Sequence, residues 1–310
     1  MKNVVCLMGP TASGKTDVAI SLCKRFPFDI VSVDSALVYR GMDIGTAKPD
    51  AETLQRAPHR LIDIRDPEES YSAGDFVRDA RREIDSIQAS GRVPLLVGGT
   101  MMYFRALIGG IAELPSADAE IRASIDSDAE KAGWPAIHAR LQEIDPAAAD
   151  RIKPNDRQRI QRALEVYLAS GTPLSDWQSR ARIAHDHDLC FVKIALQPAT
   201  RQVLHKRIEK RLNMMLNNNF LDEVKVLHQR PGLTAEHPSM RSVGYRQLWA
   251  YLDGEGSMEE AGKRALYATR QLAKRQITWL RNESDLRSFD PLEGTAIDAI
   301  SASLIEFFNA

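Results

Sequence analysis

"VVCLMGPTASGKT", residues 4–16, sets an apolar run directly before a GxxxxGK[ST] pattern, and "DVAISLCKRF" continues from it with helical texture. A short apolar run closed by a glycine is the signature of a buried strand. Between a strand and a helix, this pattern is that of a phosphate-binding loop, whose amides and following helix N-terminus cradle a diphosphate. Gly9, Pro10, Thr11, Ala12, Ser13, Gly14, Lys15 and Thr16 are therefore the candidate diphosphate ligands. Lys15 brings positive charge, and the Thr16 hydroxyl is the candidate ligand of Mg²⁺.

Working outward, short runs rich in Val, Ile and Leu recur at 28–33, 60–64 and 93–97, after a first one at 3–8. Helical patterns at 15–26 and 74–90 alternate with them, which predicts a parallel sheet covered on both faces. "GRVPLLVGGT" ends its strand in Gly98-Gly99, a sharp turn at the carboxyl edge where open α/β sheets bind ligands. From residue 114 the texture becomes helical, with Asp, Asn or Ser starts and Gly or Pro stops, and strand texture returns only at 188–198. The expected fold is α/β: a P-loop NTPase-like parallel sheet core with helices on both faces, and an all-helical insertion. The core comprises 1–113 and 188–310, and the insertion 114–187.

Composition narrows the class. A chain of 310 residues allows about two domains. A net charge of −1 argues against a wholesale nucleic-acid binder, although overall balance can hide a basic face. Cys6, Cys23 and Cys190 lack CxxC or Cys/His ligand spacing and read as small apolar residues in a reducing compartment. The first apolar run is too short for a signal peptide or a membrane span. A cytoplasmic protein without membrane attachment is expected.

Asp34 follows the second strand directly, so its carboxylate should face the same crevice as the loop. It either caps the next segment or accepts a proton from, or orients, a nucleophile. Where an ATPase would carry a Mg²⁺-supporting Asp, the strand at 93–97 runs into "GGTMMYF" and offers Thr100 instead. Asp63 is the possible substitute, unless it pairs with Arg60 or Arg65. No second motif of an ATP hydrolase is present. Arg207 and Arg211, four apart, share a helix face; they clamp a phosphate or pair with Glu209 and Asp222. Basic residues also gather at Arg157, Arg159 and Arg162, with Gln158 and Gln161 between them, and at Arg270, Lys274, Arg275 and Arg281. On the latter helix, Leu272, Ile277 and Leu280 should face inward. With "MRSVGYRQLW" (240–249) these runs supply Arg, Gln, Tyr and Trp suited to phosphate contacts and base stacking, or else form solvated faces. His185 and His187 flank Asp186 in a loop and read as solvated rather than as metal ligands.

Together, "GPTASGKT", "DSALVYRGMDIGTAKP", "PHRLIDIRDP", "YSAGDF", "PLLVGGTMMYFRAL", "LPSAD", "NDRQRIQRALEV", "SVGYRQLW" and "TRQLAKRQITWLR" resemble, in order, the blocks of the tRNA dimethylallyltransferases, also called tRNA isopentenylpyrophosphate transferases. The resemblance spans nearly the whole chain and is closest to the bacterial form, without a C-terminal zinc finger. It implies transfer of a dimethylallyl group from dimethylallyl diphosphate to the exocyclic amine of the adenosine 3′-adjacent to the anticodon in tRNA. The loop would then hold the leaving diphosphate of a prenyl donor, with Mg²⁺ on Thr16 and Arg207 or Arg211 assisting. Asp34 would accept the amine proton, and Thr100 would bond the nucleotide or the donor. Carried to matching positions, the implied tRNA contacts are Asp34, Ser35, Ala36, Leu37, Thr100 and Arg122. They continue at Gln158, Arg159, Ile160, Gln161 and Arg162, then at Arg241, Ser242, Val243, Gly244, Tyr245 and Arg246. The last stretch is Lys274, Arg275, Gln276, Ile277, Thr278, Trp279, Leu280 and Arg281. Such contacts mostly position the backbone of the RNA. The protein is expected to act as a monomer.

Three other readings share parts of this pattern. A small-molecule kinase would use the same loop with Asp34 deprotonating a hydroxyl, but needs an adenine pocket. A prenyltransferase acting on free AMP would need neither the helical insertion nor the C-terminal basic helix. A non-catalytic RNA-binding protein has no use for a phosphate loop beside Asp34.

Overall fold

The apolar runs form one sheet of six strands: β1 (Lys2–Met8), β2 (Phe28–Val33), β3 (His59–Arg60), β4 (Val93–Gly98), β5 (Leu189–Leu196) and β6 (Leu286–Phe289). The computed structural model describes residues 2–112, 114–183 and 188–309, so His185 and His187 lie outside the described residues. The strands are all parallel, in the order β3-β2-β4-β1-β5-β6. Met8 and Val33 both stand opposite Gly98 across their ladders. The carboxyl ends of β2, β4 and β1 are therefore level, and whatever follows each strand meets at one edge.

Helices α1 (Lys15–Cys23), α2 (Ala51–Arg56), α3 (Ala73–Ala89) and α4 (Met101–Gly109) punctuate the first strands. The following stretch is helical as expected: α5 (Ala119–Ala132), α6 (Trp134–Ile144), α7 (Pro146–Ala149), α8 (Arg157–Ser170) and α9 (Leu174–Ile183). After β5 come α10 (Arg201–Asn217), α11 (Phe220–His228), α12 (Tyr245–Leu252), α13 (Met258–Arg281) and, after β6, α14 (Ala296–Asn309). Among the described residues, no helix is long and apolar enough to cross a membrane.

The chain divides into two compact units, residues 1–105 with 187–310, and residues 106–186. In the first, Val5, Leu7, Ile30, Leu95 and Ile194 pack with Val18 and Leu22 of α1 and with Ile300 and Leu304 of α14. Val4, Cys6, Met8, Val31, Val33 and Leu96 alternate with the strand members of that cluster and are buried as well, so the sheet is covered on both faces. α3 packs on β2 and β4 through Phe76, Ala80, Ile84 and Ile87, outside that cluster. It starts with a capping box: Ser72 Oγ accepts from the Asp75 amide at 3.1 Å, and the Ser72 amide donates to Asp75 Oδ2 at 3.0 Å. Burying each core Leu or Ile stabilises this unit by roughly 1.5–3 kcal/mol before chain entropy is counted.

The second unit has its own core of Ile125, Ile137, Leu141, Ile160, Leu164 and Val166. A fully buried carboxylate, Glu165, sits beside it. It accepts from Arg122 Nε at 2.8 Å, Arg162 Nη1 at 2.7 Å and the Asp118 amide at 2.8 Å. Burial alone would raise its pKa; the bonds from Arg122 and Arg162 outweigh that and hold it below the usual carboxylate range.

Two strands differ from the sequence expectation. The run at 60–64 pairs only over His59–Arg60, because Leu61 (φ 62°) and Asp63 (φ 56°) turn into the left-handed region and leave the ladder. β6 was not expected at all. Its four residues, "LRSF", carry too short a pattern to stand out, and they become a strand by pairing with β5 from Lys193 to Leu196.

Candidate active site at the carboxyl edge of the sheet

At this edge the first unit holds a cavity of ≈ 980 Å³. The phosphate loop forms its floor. Ala12 (φ 61°) and Gly14 (φ 96°) turn the backbone so that α1 begins at Lys15, and no side chain caps that helix. Its first-turn amides are the kind of donors that bind phosphate. Lys15 Nζ folds onto the carbonyls of Gly9 (2.9 Å) and Pro10 (2.8 Å). Burial, against the pull of Asp34 and with the repulsion of Arg211, lowers its pKa to about 7.

The two readings of Arg207 and Arg211 are now separable. Glu209 pairs with Arg270 at 3.0 Å and Asp222 with Lys225 at 2.8 Å, so neither holds the two arginines. Both line the cavity, and Arg207 Nε donates to the Ala12 carbonyl of the loop at 2.8 Å. Burial lowers the pKa of Arg211; Asp34 opposes this and Arg207 adds to it, which puts these charges in one electrostatic group.

Asp34 follows β2, and its Oδ1 accepts from the amides of Ala36 (2.8 Å) and Leu37 (3.3 Å). The carboxylate is half-buried and lines the cavity, with Oδ2 not used by these turn bonds. Thr100 follows the end of β4; its Oγ1 accepts from the Ser35 amide at 3.1 Å, tying the ends of β2 and β4. Asp63 is not a substitute metal carboxylate, nor does it pair with Arg60 or Arg65. It is ion-paired at 2.5 Å to the buried Lys48, which also holds Asp43 at 2.6 Å and the Tyr39 carbonyl at 2.9 Å.

Lys48 and Glu223 shape the block after Asp34, and sequence reasoning missed both. Glu223 accepts from the amides of Asp43 (2.9 Å), Ile44 (2.7 Å) and Gly45 (3.1 Å) and from the Tyr245 hydroxyl (2.5 Å). Gly45 is obligatory there: a Cβ would lie 2.1 Å from the Phe220 ring. His59 and Tyr71, also not foreseen, line the same cavity. The "PHRLID" and "YSAGDF" blocks that contain or adjoin them were the available signals.

The expected RNA-contact residues fall into separate groups. Ser35, Ala36, Leu37, Arg241, Ser242, Val243, Gly244, Arg275 and Trp279 line the cavity. Lys274, Thr278 and Arg281 are exposed on α13. Arg246 lines a shallow groove with Lys263, Arg264 and Tyr267 instead. Tyr245 also lines the cavity, but its side chain is fully buried, and Leu280 is buried too. Ile277 packs against the cluster of Ala12, Leu204, Ile208 and Ala273. Leu272, expected inward, lines the cavity. In the second unit Ile160 is a core residue, Arg122 and Arg162 are engaged by Glu165, and Gln161 bonds Asp126 at 2.7 Å. Gln158 and Arg159 remain on the surface. For Ile160, Tyr245 and Leu280 the side chain supports the fold rather than meeting a ligand, because no solvent reaches it.

Comparison with known proteins agrees in sequence and in fold. The family described as IPP transferase matches residues 37–283. The chain is 55% identical over 288 residues to the tRNA dimethylallyltransferase of Coxiella burnetii (strain Dugway 5J108-111), covering 93% of this chain and 92% of that one. It is similar to the full-length tRNA isopentenylpyrophosphate transferase of Bacillus halodurans, with a TM-score of 0.72, 37% identity and coverage of 99% and 96%. A eukaryotic dimethylallyltransferase described as acting on tRNA superimposes with a TM-score of 0.81 at 25% identity, over 98% of this chain and 78% of that one.

Proposed function

Since the chain belongs to the tRNA dimethylallyltransferase (IPP transferase) family and is an enzyme of that class, we propose that its cavity brings together the two reactants of that reaction. A dimethylallyl group passes from dimethylallyl diphosphate to the exocyclic amine of the adenosine 3′-adjacent to the anticodon, giving N6-dimethylallyladenosine and diphosphate. One observation carries the reading. Met8, Val33 and Gly98 end three adjacent strands at one level, so the phosphate loop, Asp34 and Thr100 share a single edge and line a single cavity.

In this reading the loop amides, Lys15, Arg207 and Arg211 hold the diphosphate. As the C–N bond forms at the allylic carbon, the C–O bond to the diphosphate breaks and its electron pair leaves on oxygen. One amine proton goes to Asp34 Oδ2, while Oδ1 stays engaged with the turn amides. Incoming negative charge restores full ionisation of Lys15, so the cation strengthens as the leaving group arrives. Thr100 and Ser35 orient the nucleotide, which must leave its stack to react. Thr16 is a hard oxygen donor at the cavity, and among the described residues there is no cluster of three metal-binding side chains; Mg²⁺, which keeps water and phosphate ligands, fits such a site. When bound there it neutralises charge on the departing diphosphate.

In the first unit the RNA would lie along the cavity residues of 241–244 and on Lys274, Arg275, Thr278, Trp279 and Arg281; in the second unit, taken by itself, Gln158 and Arg159 are the candidate contacts. Action as a monomer belongs to the same reading, and the elution volume of the enzyme with and without tRNA tests it. The free thiols Cys6, Cys23 and Cys190 and a tRNA acceptor support a cytoplasmic setting. The test is incubation with labelled dimethylallyl diphosphate and tRNA, AMP or no acceptor. Label entering tRNA alone is expected. Transfer to AMP, or ATP hydrolysis at comparable rates, would return the protein to one of the rival classes.

A further inference from the structure

Gln276 was expected among the RNA contacts, yet both ends of its side chain are spent on the protein itself. Its Oε1 accepts from the Thr11 amide of the phosphate loop at 2.9 Å, and its Nε2 donates to the Gly99 carbonyl at 2.8 Å. The residue borders the cavity but is only 8% exposed, so little of it is available to a ligand. We propose that Gln276 is a positioning residue for the donor, holding the phosphate loop in register with the carboxyl end of β4 where the acceptor chemistry takes place. The proposal rests on the reading of the loop as the donor site.

Chemistry selects glutamine here. The partner on one side is an N–H and on the other a C=O, so the side chain must accept and donate at once, across a gap of fixed length. A carboxylate satisfies the first partner and repels the second. The site is also shaped around that amide: a Cβ on residue 99 would stand 2.5 Å from Gln276 Nε2, so only glycine leaves room for it. The grip on the loop is two-sided. Ala12 packs with Ala273 and Ile277 of α13 and receives Arg207 from α10, while its neighbour Thr11 is held by Gln276. Loop amides that bind a diphosphate well must be aimed in advance, and a loop freed on one side has to be ordered at the expense of binding.

The test uses the full-length enzyme with Gln276→Met, which keeps length but makes neither bond, and Gln276→Glu, which keeps the bond to Thr11. Binding of inorganic diphosphate by the free enzyme, KM for dimethylallyl diphosphate, and affinity for an anticodon stem-loop are measured together. For Gln276→Met, diphosphate affinity should fall about tenfold or more, the scale of two backbone hydrogen bonds, with Gln276→Glu also impaired. Stem-loop affinity should change less than about twofold. Unchanged diphosphate affinity in both variants overturns the proposal, as does an RNA affinity that falls in parallel. If Gln276→Met does not fold, Gln276→Glu alone decides by the same split. Failure of the functional reading shows separately, as wild-type enzyme that binds diphosphate but transfers no prenyl group to tRNA.

Discussion

Arg207 reaches the phosphate loop from 195 residues away, its Nε donating to the Ala12 carbonyl at 2.8 Å. One edge of the guanidinium is thus fixed on the loop while the rest of the group lines the cavity. A planar fork anchored at Nε presents its remaining N–H groups in a set direction, which an ammonium on a flexible stem does not. Arg207→Ala should raise KM for dimethylallyl diphosphate and lower kcat, by about 10²–10³-fold in kcat/KM, the scale of removing one donor aimed at developing charge. Arg207→Lys should recover only a minor part. Steady-state kinetics with the donor varied checks this.

Asp34→Asn preserves the shape and the Oδ1 acceptor for Ala36 and Leu37 but cannot take a proton. Transfer should fall about 10²–10⁴-fold, with tRNA affinity nearly unchanged. Near-normal turnover would reduce Asp34 to a turn-forming residue and place the base elsewhere.

Lys15 gives the site a pH signature. Burial lowers its folded-state pKa from the ordinary value to about 7, so between that pH and the ordinary lysine range the unfolded chain binds the proton and the folded chain does not. In that window stability gains with rising pH, and below it the full cost of a buried ammonium is present. The stability advantage of Lys15→Met over wild type, followed by denaturant titration without ligand, should therefore shrink as pH climbs through the window. Added diphosphate should abolish the wild-type trend, because it holds the ammonium charged.

Arginines of similar sequence context should behave differently on substitution. Arg162→Ala leaves the buried Glu165 with Arg122 and the Asp118 amide but one fewer partner, and should destabilise the protein by about 1.5–3 kcal/mol in chemical denaturation. Replacing the exposed Lys274 and Arg275 together by Ala should leave stability unchanged. It should weaken stem-loop binding and reduce the salt slope by about one unit for each RNA phosphate no longer neutralised. Parallel salt plots for wild type and the double variant would remove α13 from the RNA-binding surface.

What the sequence determined by itself was local. The apolar run, the glycine pattern and the helix after it lie within residues 4–23, and Asp34 and Gly98 are recognisable as strand ends because hydrophobic runs stop beside them. Alternation of strand and helix was enough for the parallel sheet, and Asp, Asn or Ser starts with Gly or Pro stops for the helical stretch. The family blocks added the reaction.

Tertiary structure decided the remainder, since it depends on partners distant in sequence. Glu223 meets the amides of residues 43–45 about 180 positions away, and Gln276 meets Thr11 across 265. Nothing local distinguishes Arg162, clasping a buried carboxylate, from Arg159 on the surface. Ile160 sits inside a basic block yet belongs to a core, whereas the inward face of Leu280 was already legible, because a helix that shows charge on one side buries the other. Asp63 pairs with Lys48, 15 positions away, and not with its near neighbours Arg60 and Arg65, which are taken by Asp29, Glu83 and Asp79, so the partner is set by what the fold brings near and not by adjacency in sequence.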